Sequence, residues 1–530
     1  MKKIISILLS VVMLISLAVP AFAANETTIT DIPTIYLSGK GELIYRADGT
    51  AATNPSAIDR GEYIKQHAEP ALKEIPMALL TGDYTNYINA LYDILQPLYA
   101  DWVLDSNGST ETGGTHINWD AETAPIQRKT SGFGLWDYHF RYDWRLSPLE
   151  TADELDKYIE RVCEATGSDK VNIHARCLGT NIAMAYIAKS HDGYYNHDFR
   201  VNNIVLNTPA VGGYILVGSL LSGSVKFDAD TIDQFASIYL NNNDIFDDPL
   251  IELVITTMLS LFNQAKVLGW GTEQIQKVFD TIADEALPKI ALCCYGSFPS
   301  YWSMISDEYY DKAIAQIFNT PELKEEYRVF IEKTNAYHEL LGDVNEDTGL
   351  AGYQQLLLDL KEEGVNTAVY AKYGTMSFPL FEGSNITGDS RGTVTDMSFG
   401  AKGTIIGETF DKEYVEKAKE AGLEKYISPD LTVDASTALL PDTTWFIKNI
   451  GHADFPAELD TLSMAFLRSG GKLTVETAEG YSRFMDFKTG TLEPVTSVDH
   501  SLDGVWAQNW FLILLRVIEM IIDIFASLFK

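Results

Sequence analysis

The chain of 530 residues carries 74 acidic against 40 basic side chains, a formal net charge of −34. That excess argues against nucleic acid or an anionic membrane as an electrostatic partner and favours high solubility. About 500 residues beyond the leader exceed one ordinary domain, so a large core with insertions is expected. Four cysteines, Cys163, Cys177, Cys293 and Cys294, make no disulfide framework and show no zinc-ligand spacing. The adjacent pair Cys293–Cys294 reads as buried apolar residues, since a mutual bridge is strained. Nothing in the chain asks for a metal or a cofactor.

Met1-Lys2-Lys3, an apolar run from Ile4 to Val19 and Ala21-Phe22-Ala23 read as a secretory signal peptide over 1–23. The run is shorter than the ~20 residues of a membrane span, which disfavours an uncleaved anchor. The protein is therefore expected to be secreted or extracytoplasmic. Thr34 to Leu37 is a buried-strand run ending in Ser38-Gly39-Lys40-Gly41, glycines that let backbone approach a substrate. Residues 55–103 carry helical periodicity, and Leu149 to Thr166 is an amphipathic helix stopped by Gly167.

The most informative stretch is Val171 to Thr180. Val171 and Ile173 mark a strand, Ala175-Arg176-Cys177-Leu178-Gly179 a sharp turn, and Ile182, Ala183, Tyr186 and Ile187 a helix. The α/β-hydrolases lift a nucleophile above the sheet on such an elbow, written Gly-x-Ser-x-Gly, with small residues where backbone meets backbone. Here Ala175 and Gly179 hold the small positions and Cys177 stands in place of serine. In that frame the backbone N–H groups of Lys40 and Leu178 are the candidate oxyanion donors. Val201 to Leu206 is the next strand, closed by Asn207-Thr208-Pro209. Strand and helix alternate as in a mostly parallel sheet covered by helices on both faces.

Tyr142-Asp143-Trp144-Arg145, the elbow, Thr208-Pro209, Tyr295-Gly-Ser-Phe-Pro-Ser-Tyr301, Tyr373-Gly374 and Gly392-Thr393-Val394 together resemble the lecithin:cholesterol acyltransferase family. The resemblance covers roughly residues 31–455 and implies an α/β-hydrolase fold acting on lipid acyl esters. Cysteine at the elbow departs from that family and is similar to dienelactone hydrolases and poly(hydroxyalkanoate) synthases, whose substrates are cytoplasmic.

Residues 213–346 change character. Helical patterns at Ile251 to Phe262, Thr272 to Ala286 and Glu322 to Tyr337 interrupt the hydrolase order, where such enzymes carry a cap. The domain reading is signal peptide 1–23, core 24–212, helical cap 213–346, core 347–488, linker 489–504 and C-terminal helix 505–530. Asp343-Val-Asn345-Glu-Asp347 imitates the start of a calcium loop, but Gly349 falls one place late and Gln354 replaces the bidentate Glu. It reads as a solvated turn, as do Asp244, Asp247 and Asp248.

Val365 to Tyr370 resumes the sheet, and the loop after it should carry a triad acid. The resembled family has Asp-Gly-Thr-Val there. This chain reads Gly388-Asp389-Ser390-Arg391-Gly392-Thr393-Val394, with arginine at the expected place, so Asp389 is the candidate and Asp396 the fallback. Thr444 to Ile447 reads as the last strand, followed by Gly451-His452, where the base belongs. The order Cys177, Asp389, His452 is the hydrolase order nucleophile, acid, base. Val505 to Lys530 is apolar apart from a stripe of Asn509, Arg516, Glu519, Asp523, Ser527 and Lys530. It reads as an interfacial or self-associating helix, or one docked on the parent domain, and not a simple span.

The function these residues favour is hydrolysis or transfer of a hydrophobic acyl ester through a Cys-His-Asp triad and an acyl-thioester. The competing reading is an inactive hydrolase-fold binding module, with Arg176 and Arg391 holding an anionic ligand or partner.

Overall fold

A computed structural model describes residues 32–39, 43–54, 60–110, 114–127, 138–224, 226, 231, 272–377, 379, 381–487 and 490–496. The signal peptide, Lys40, the Ile251 to Phe262 helix, Asp244, Asp247, Asp248 and the 505–530 helix lie outside the described residues. The main sheet is built from Thr34–Leu37 (β1), Tyr138–Phe140 (β2), Val171–Arg176 (β3), Val201–Asn207 (β4), Thr367–Tyr373 (β5), Thr444–Lys448 (β6), Phe484–Asp486 (β7) and Glu493–Pro494 (β8). They run in the order β8-β7-β6-β5-β4-β3-β1-β2. Every pairing is parallel except β7 with β8. The main helices are Arg60–Thr81 (α1), Thr85–Tyr99 (α2), Pro148–Thr166 (α3), Leu178–His191 (α4), Ile215–Leu221 (α5), Thr272–Leu292 (α6), Asp307–Ile317 (α7), Arg328–Tyr337 (α8), Gly352–Glu362 (α9) and Ala457–Arg468 (α10).

Successive strand side chains point to opposite faces, and both faces are covered. Ile173, Ala175, Ile204, Leu206, Val369, Ala371 and Phe446 join one core with residues of α3, α4 and α9. Val205, Ala368, Tyr370, Trp445 and Ile447 join a second with Leu459, Leu462 and Phe466 of α10. Burial on both sides is why these strands read as unbroken apolar runs. With its strand order, its elbow and the helices inserted between β4 and β5, this is an α/β-hydrolase fold with a helical cap.

The helix stop at Gly167 is as read: the residue takes φ 71° and its N–H bonds Cys163 O. Other boundaries differ. Thr444–Lys448 is not the last strand, because β7 extends the sheet; Phe484–Asp486 is too short to show periodicity. Glu493–Pro494, inside the stretch read as linker, adds the edge strand. The segment from Glu322 to Tyr337 is broken at Tyr327 into Pro321–Glu326 and α8. Thr320 caps the first piece by accepting the Leu323 N–H at 3.2 Å. The cap has its own core around Trp302, whose indole N–H donates to Gly296 O at 2.9 Å and whose rings meet Phe318 and Phe330. In the Asp343 loop, Asn345 Oδ1 accepts the N–H groups of Asp347 and Thr348, a side-chain-closed turn. No group of side chains suited to a metal occurs among the described residues.

The Tyr142-Asp143-Trp144-Arg145 segment ties core to cap. Arg145 is wholly buried and pairs with Asp143 at 2.9 and 2.6 Å, while its other nitrogen reaches Trp102 O and Thr115 Oγ1, both at 3.0 Å. Trp144 meets Trp102 and Phe298 edge-on. A buried pair with every guanidinium nitrogen engaged is tolerated, but removing one partner strands the other charge. Asp143→Asn should therefore cost about 3–5 kcal/mol in denaturant unfolding, and adding Arg145→Met should recover part of that loss.

Candidate active site

The elbow forms because β3 and the first turn of α4 leave no room for side chains. Cys177 sits between them at φ 49°, ψ −128°, a conformation that costs a non-glycine residue of order 1–3 kcal/mol. Its N–H bonds Asn207 O at 3.0 Å. A Cβ on Gly179 would lie 2.6 Å from Ser38 O, and one on Gly39 would lie 2.6 Å from Cys177 Cβ. Those two glycines let the β1 loop and the elbow touch. Asn181, one turn into α4, donates to Ser303 O and Ser303 Oγ of the cap at 2.8 and 3.0 Å.

Asp389 reaches the site by a turn folded back on itself. Its Oδ1 accepts the N–H groups of Arg391 and Gly392 at 3.0 and 3.1 Å, which frees Oδ2 to meet His452 Nδ1 at 2.6 Å. Gly388 makes the fold-back feasible, since a Cβ there would collide with Gly392 O. Asp389 thus occupies the place the sequence register gave to Arg391. Asp396 is engaged elsewhere: it caps a short helix by accepting Thr393 N–H at 2.8 Å and lies 3.4 Å from Ile215 N. Burial pushes its carboxyl up to about 6.

His452 follows β6 on a turn in which Gly451 N–H bonds Asp454 Oδ2 at 3.2 Å. Its side chain is 15% exposed against 0% for Asp389, and its charge acts on the Cys177 thiol, as the thiol's does on the ring. Burial alone would push the thiol up. The charge and hydrogen bond of His452, the Leu178 N–H and Arg176 outweigh it and hold Cys177 below its ordinary value. Burial opposes the imidazolium, yet Asp389 and Cys177 raise His452 to about 9. Asp389 is held low, against burial, by His452, Lys372 and the Gly392 N–H.

Of the candidates, Cys177, Asp389 and His452 are brought together, the Leu178 N–H helps hold the thiol low, and Lys40 lies outside the described residues next to Gly39. An inactive module calls for His452 remote from Cys177, whereas the two are close enough to shift one another's pKa. Arg176 does not face an open anion site: its Nη2 donates to His452 O at 3.1 Å and to Ala453 O. Sequence reading missed two neighbours. Tyr214, the second residue of the cap, donates to Thr208 O at 2.6 Å, meets the His452 ring edge-on at 5.9 Å and interacts with Cys177. Lys372, a lone cation in an apolar strand run, was findable as a charge with no solvated face to occupy. Cys163, Cys293 and Cys294 are buried and form no disulfide, with Cys293 and Cys294 both donating to Ile290 O.

No protein-family model matches the chain, and no curated protein matches it. Among solved structures it is similar to the Tle4–Tli4 complex, at 11% identity and TM-score 0.28 over 83% of this chain and 98% of that one. It is also similar to Kex1(Δ)p, a prohormone-processing carboxypeptidase from Saccharomyces cerevisiae, at 10% identity and TM-score 0.17 over 51% and 59%. Neither likeness bears on the chemistry.

The electrostatic arrangement has a direct readout. The His452 imidazole of the resting protein should titrate at about 9 in NMR of histidine-labelled protein. In Asp389→Asn the titration should fall toward or below the ordinary 6.5, because burial then acts with one support removed.

Proposed function

We propose that the protein is an extracytoplasmic enzyme that cleaves or transfers hydrophobic acyl esters, with Cys177 as nucleophile, His452 as general base and acid, and Asp389 as the group that orients and charges the imidazole. The observation that carries this reading is the Asp389 Oδ2–His452 Nδ1 hydrogen bond at 2.6 Å, with the imidazole electrostatically coupled to the thiol on a strained elbow.

The steps follow from those positions. The Cys177 thiolate, its proton already on His452, attacks the ester carbonyl carbon and forms a C–S bond while the carbonyl π pair moves to oxygen. The N–H of Leu178, and that of Lys40, stabilise the oxyanion. Collapse of the tetrahedral species breaks the C–O bond, and His452 gives its proton to the departing alkoxide, leaving a thioester. Water, or an acceptor alcohol, then gives its proton to His452 as it attacks the thioester, and the thiolate leaves. A helical cap over the elbow and the family resemblance of the motifs support a hydrophobic acyl substrate; the acidic surface supports no nucleic-acid role. The apolar C-terminal segment is proposed as a membrane-surface or self-association element.

Activated acyl esters offered to the full chain should leave an acyl adduct on Cys177 visible by intact mass. The adduct should vanish in Cys177→Ala, and turnover should fall about 10²–10⁴-fold in His452→Ala. Turnover should also decline as pH rises through about 9, since the raised imidazole then loses the proton the leaving group needs. An adduct that survives Cys177→Ala, or no adduct across short and long acyl chains, overturns the proposal.

A further inference from the structure

The turn that carries His452 has a feature the acyl-transfer steps do not use. Lys372, on β5, has no exposed surface, and its ammonium donates to the carbonyls of Gly451 (2.9 Å), His452 (2.9 Å) and Asp454 (2.6 Å). Arg176, the residue before the nucleophile, donates to the carbonyls of His452 and Ala453. Every carbonyl from 451 to 454 therefore meets a side-chain cation. An ammonium has three N–H donors and no acceptor, so all of Lys372's capacity is spent on this turn.

Packing alone would not select such a residue. Lys372 stands in Thr-Ala-Val-Tyr-Ala-Lys-Tyr, a strand buried from end to end, where an aliphatic side chain would carry no desolvation cost. What an aliphatic residue lacks is donors for the carbonyls of this turn. The charged groups around Lys372 are Asp389 on the acid loop, Arg176 on the elbow, Asp454 on the histidine turn and Cys177. Burial draws its ammonium down to about 7, against the pull of Asp389.

We propose that Lys372 and Arg176 are positioning residues that clamp the 451–454 turn, so that the His452 ring spans Asp389 and Cys177 at once, with Lys372 the stronger of the two. The proposal rests on the reading of Cys177 and His452 as the reacting pair and deepens it. Its physical basis is reach: a ring that must satisfy two partners tolerates little displacement, and a misplacement of about 1 Å in such a site costs about 10²-fold.

The test uses the full chain and a probe that needs no ester: alkylation of Cys177 by iodoacetamide across pH, read by peptide mapping and intact mass. In Lys372→Met the alkylation midpoint should climb by about one unit or more toward the free-thiol value of ~8.5, slowing reaction near about pH 6 at least ~10-fold. Lys372→Arg, which keeps a cation and donors, should stay within about threefold of the unmodified chain. Arg176→Gln, at a partly exposed position, should shift the midpoint in the same direction by less. Thermal unfolding establishes which variants are folded. A folded Lys372→Met with an unshifted midpoint overturns the clamp, as does an unshifted Arg176→Gln where Lys372→Met does not fold. A shift seen in protein that turns over no ester supports the clamp and overturns the acyl-ester reading alone.

Discussion

Ionisable groups taken out of water must settle one another's charge, and in this protein that constraint falls on an imidazole. Asp389 has no exposure, and burial alone would raise its carboxyl, lower the His452 imidazolium and raise the Cys177 thiol. Set in contact, the carboxylate and the sulfur favour the imidazolium, and the imidazolium favours both anions. The charges on the site are a property of the trio and cannot be assigned to one residue by its surroundings.

The sheet makes that meeting feasible for residues far apart in sequence. The elbow leaves the end of β3, the acid loop the end of β5 and the histidine turn the end of β6, and β3 to β6 are neighbours in one parallel sheet. Register aligns them: Ala175 lies beside Leu206, and Lys448 beside Tyr373. Parallel strands put all these chain exits on one edge, where loops are free to converge. The cap enters between β4 and β5, and its second residue, Tyr214, reaches back to meet the His452 ring beside Cys177. The insertion is therefore part of the site's wall as well as its cover.

The elbow, the Gly167 stop and the covered parallel sheet were legible because each is dictated locally, by period, by a required positive φ or by residues too small to collide. Gly179 and Gly39 illustrate this: the contact between two loops forbids a Cβ, and that prohibition is written in the sequence. The carboxylate partner of His452 was only half legible. Asp389 could be named, but its turn depends on Gly388 passing close to Gly392, a contact that no spacing rule expresses. Lys372 was visible only as an anomaly in an apolar run, and Tyr214 not at all, since its role comes from the cap's direction of approach. Phe484–Asp486 joined the sheet without periodicity because three residues suffice once a parallel edge is on offer.

Cysteine in place of serine changes more than the leaving atom. Cys177, with Asp389, raises His452 to about 9. A serine hydroxyl stays neutral at rest and would withdraw that support, leaving the imidazole to Asp389 and to burial, which pull in opposite directions. A serine site wants its histidine neutral and ready to accept a proton; this one holds its histidine raised to about 9 and its thiol below the ordinary value. The buried ammonium beside Asp389 and the guanidinium before the nucleophile suit the charged arrangement, since each adds a positive field near an anion. The substitution at the elbow and the cations around the histidine turn are thus mutually consistent parts of a site poised as an ion pair.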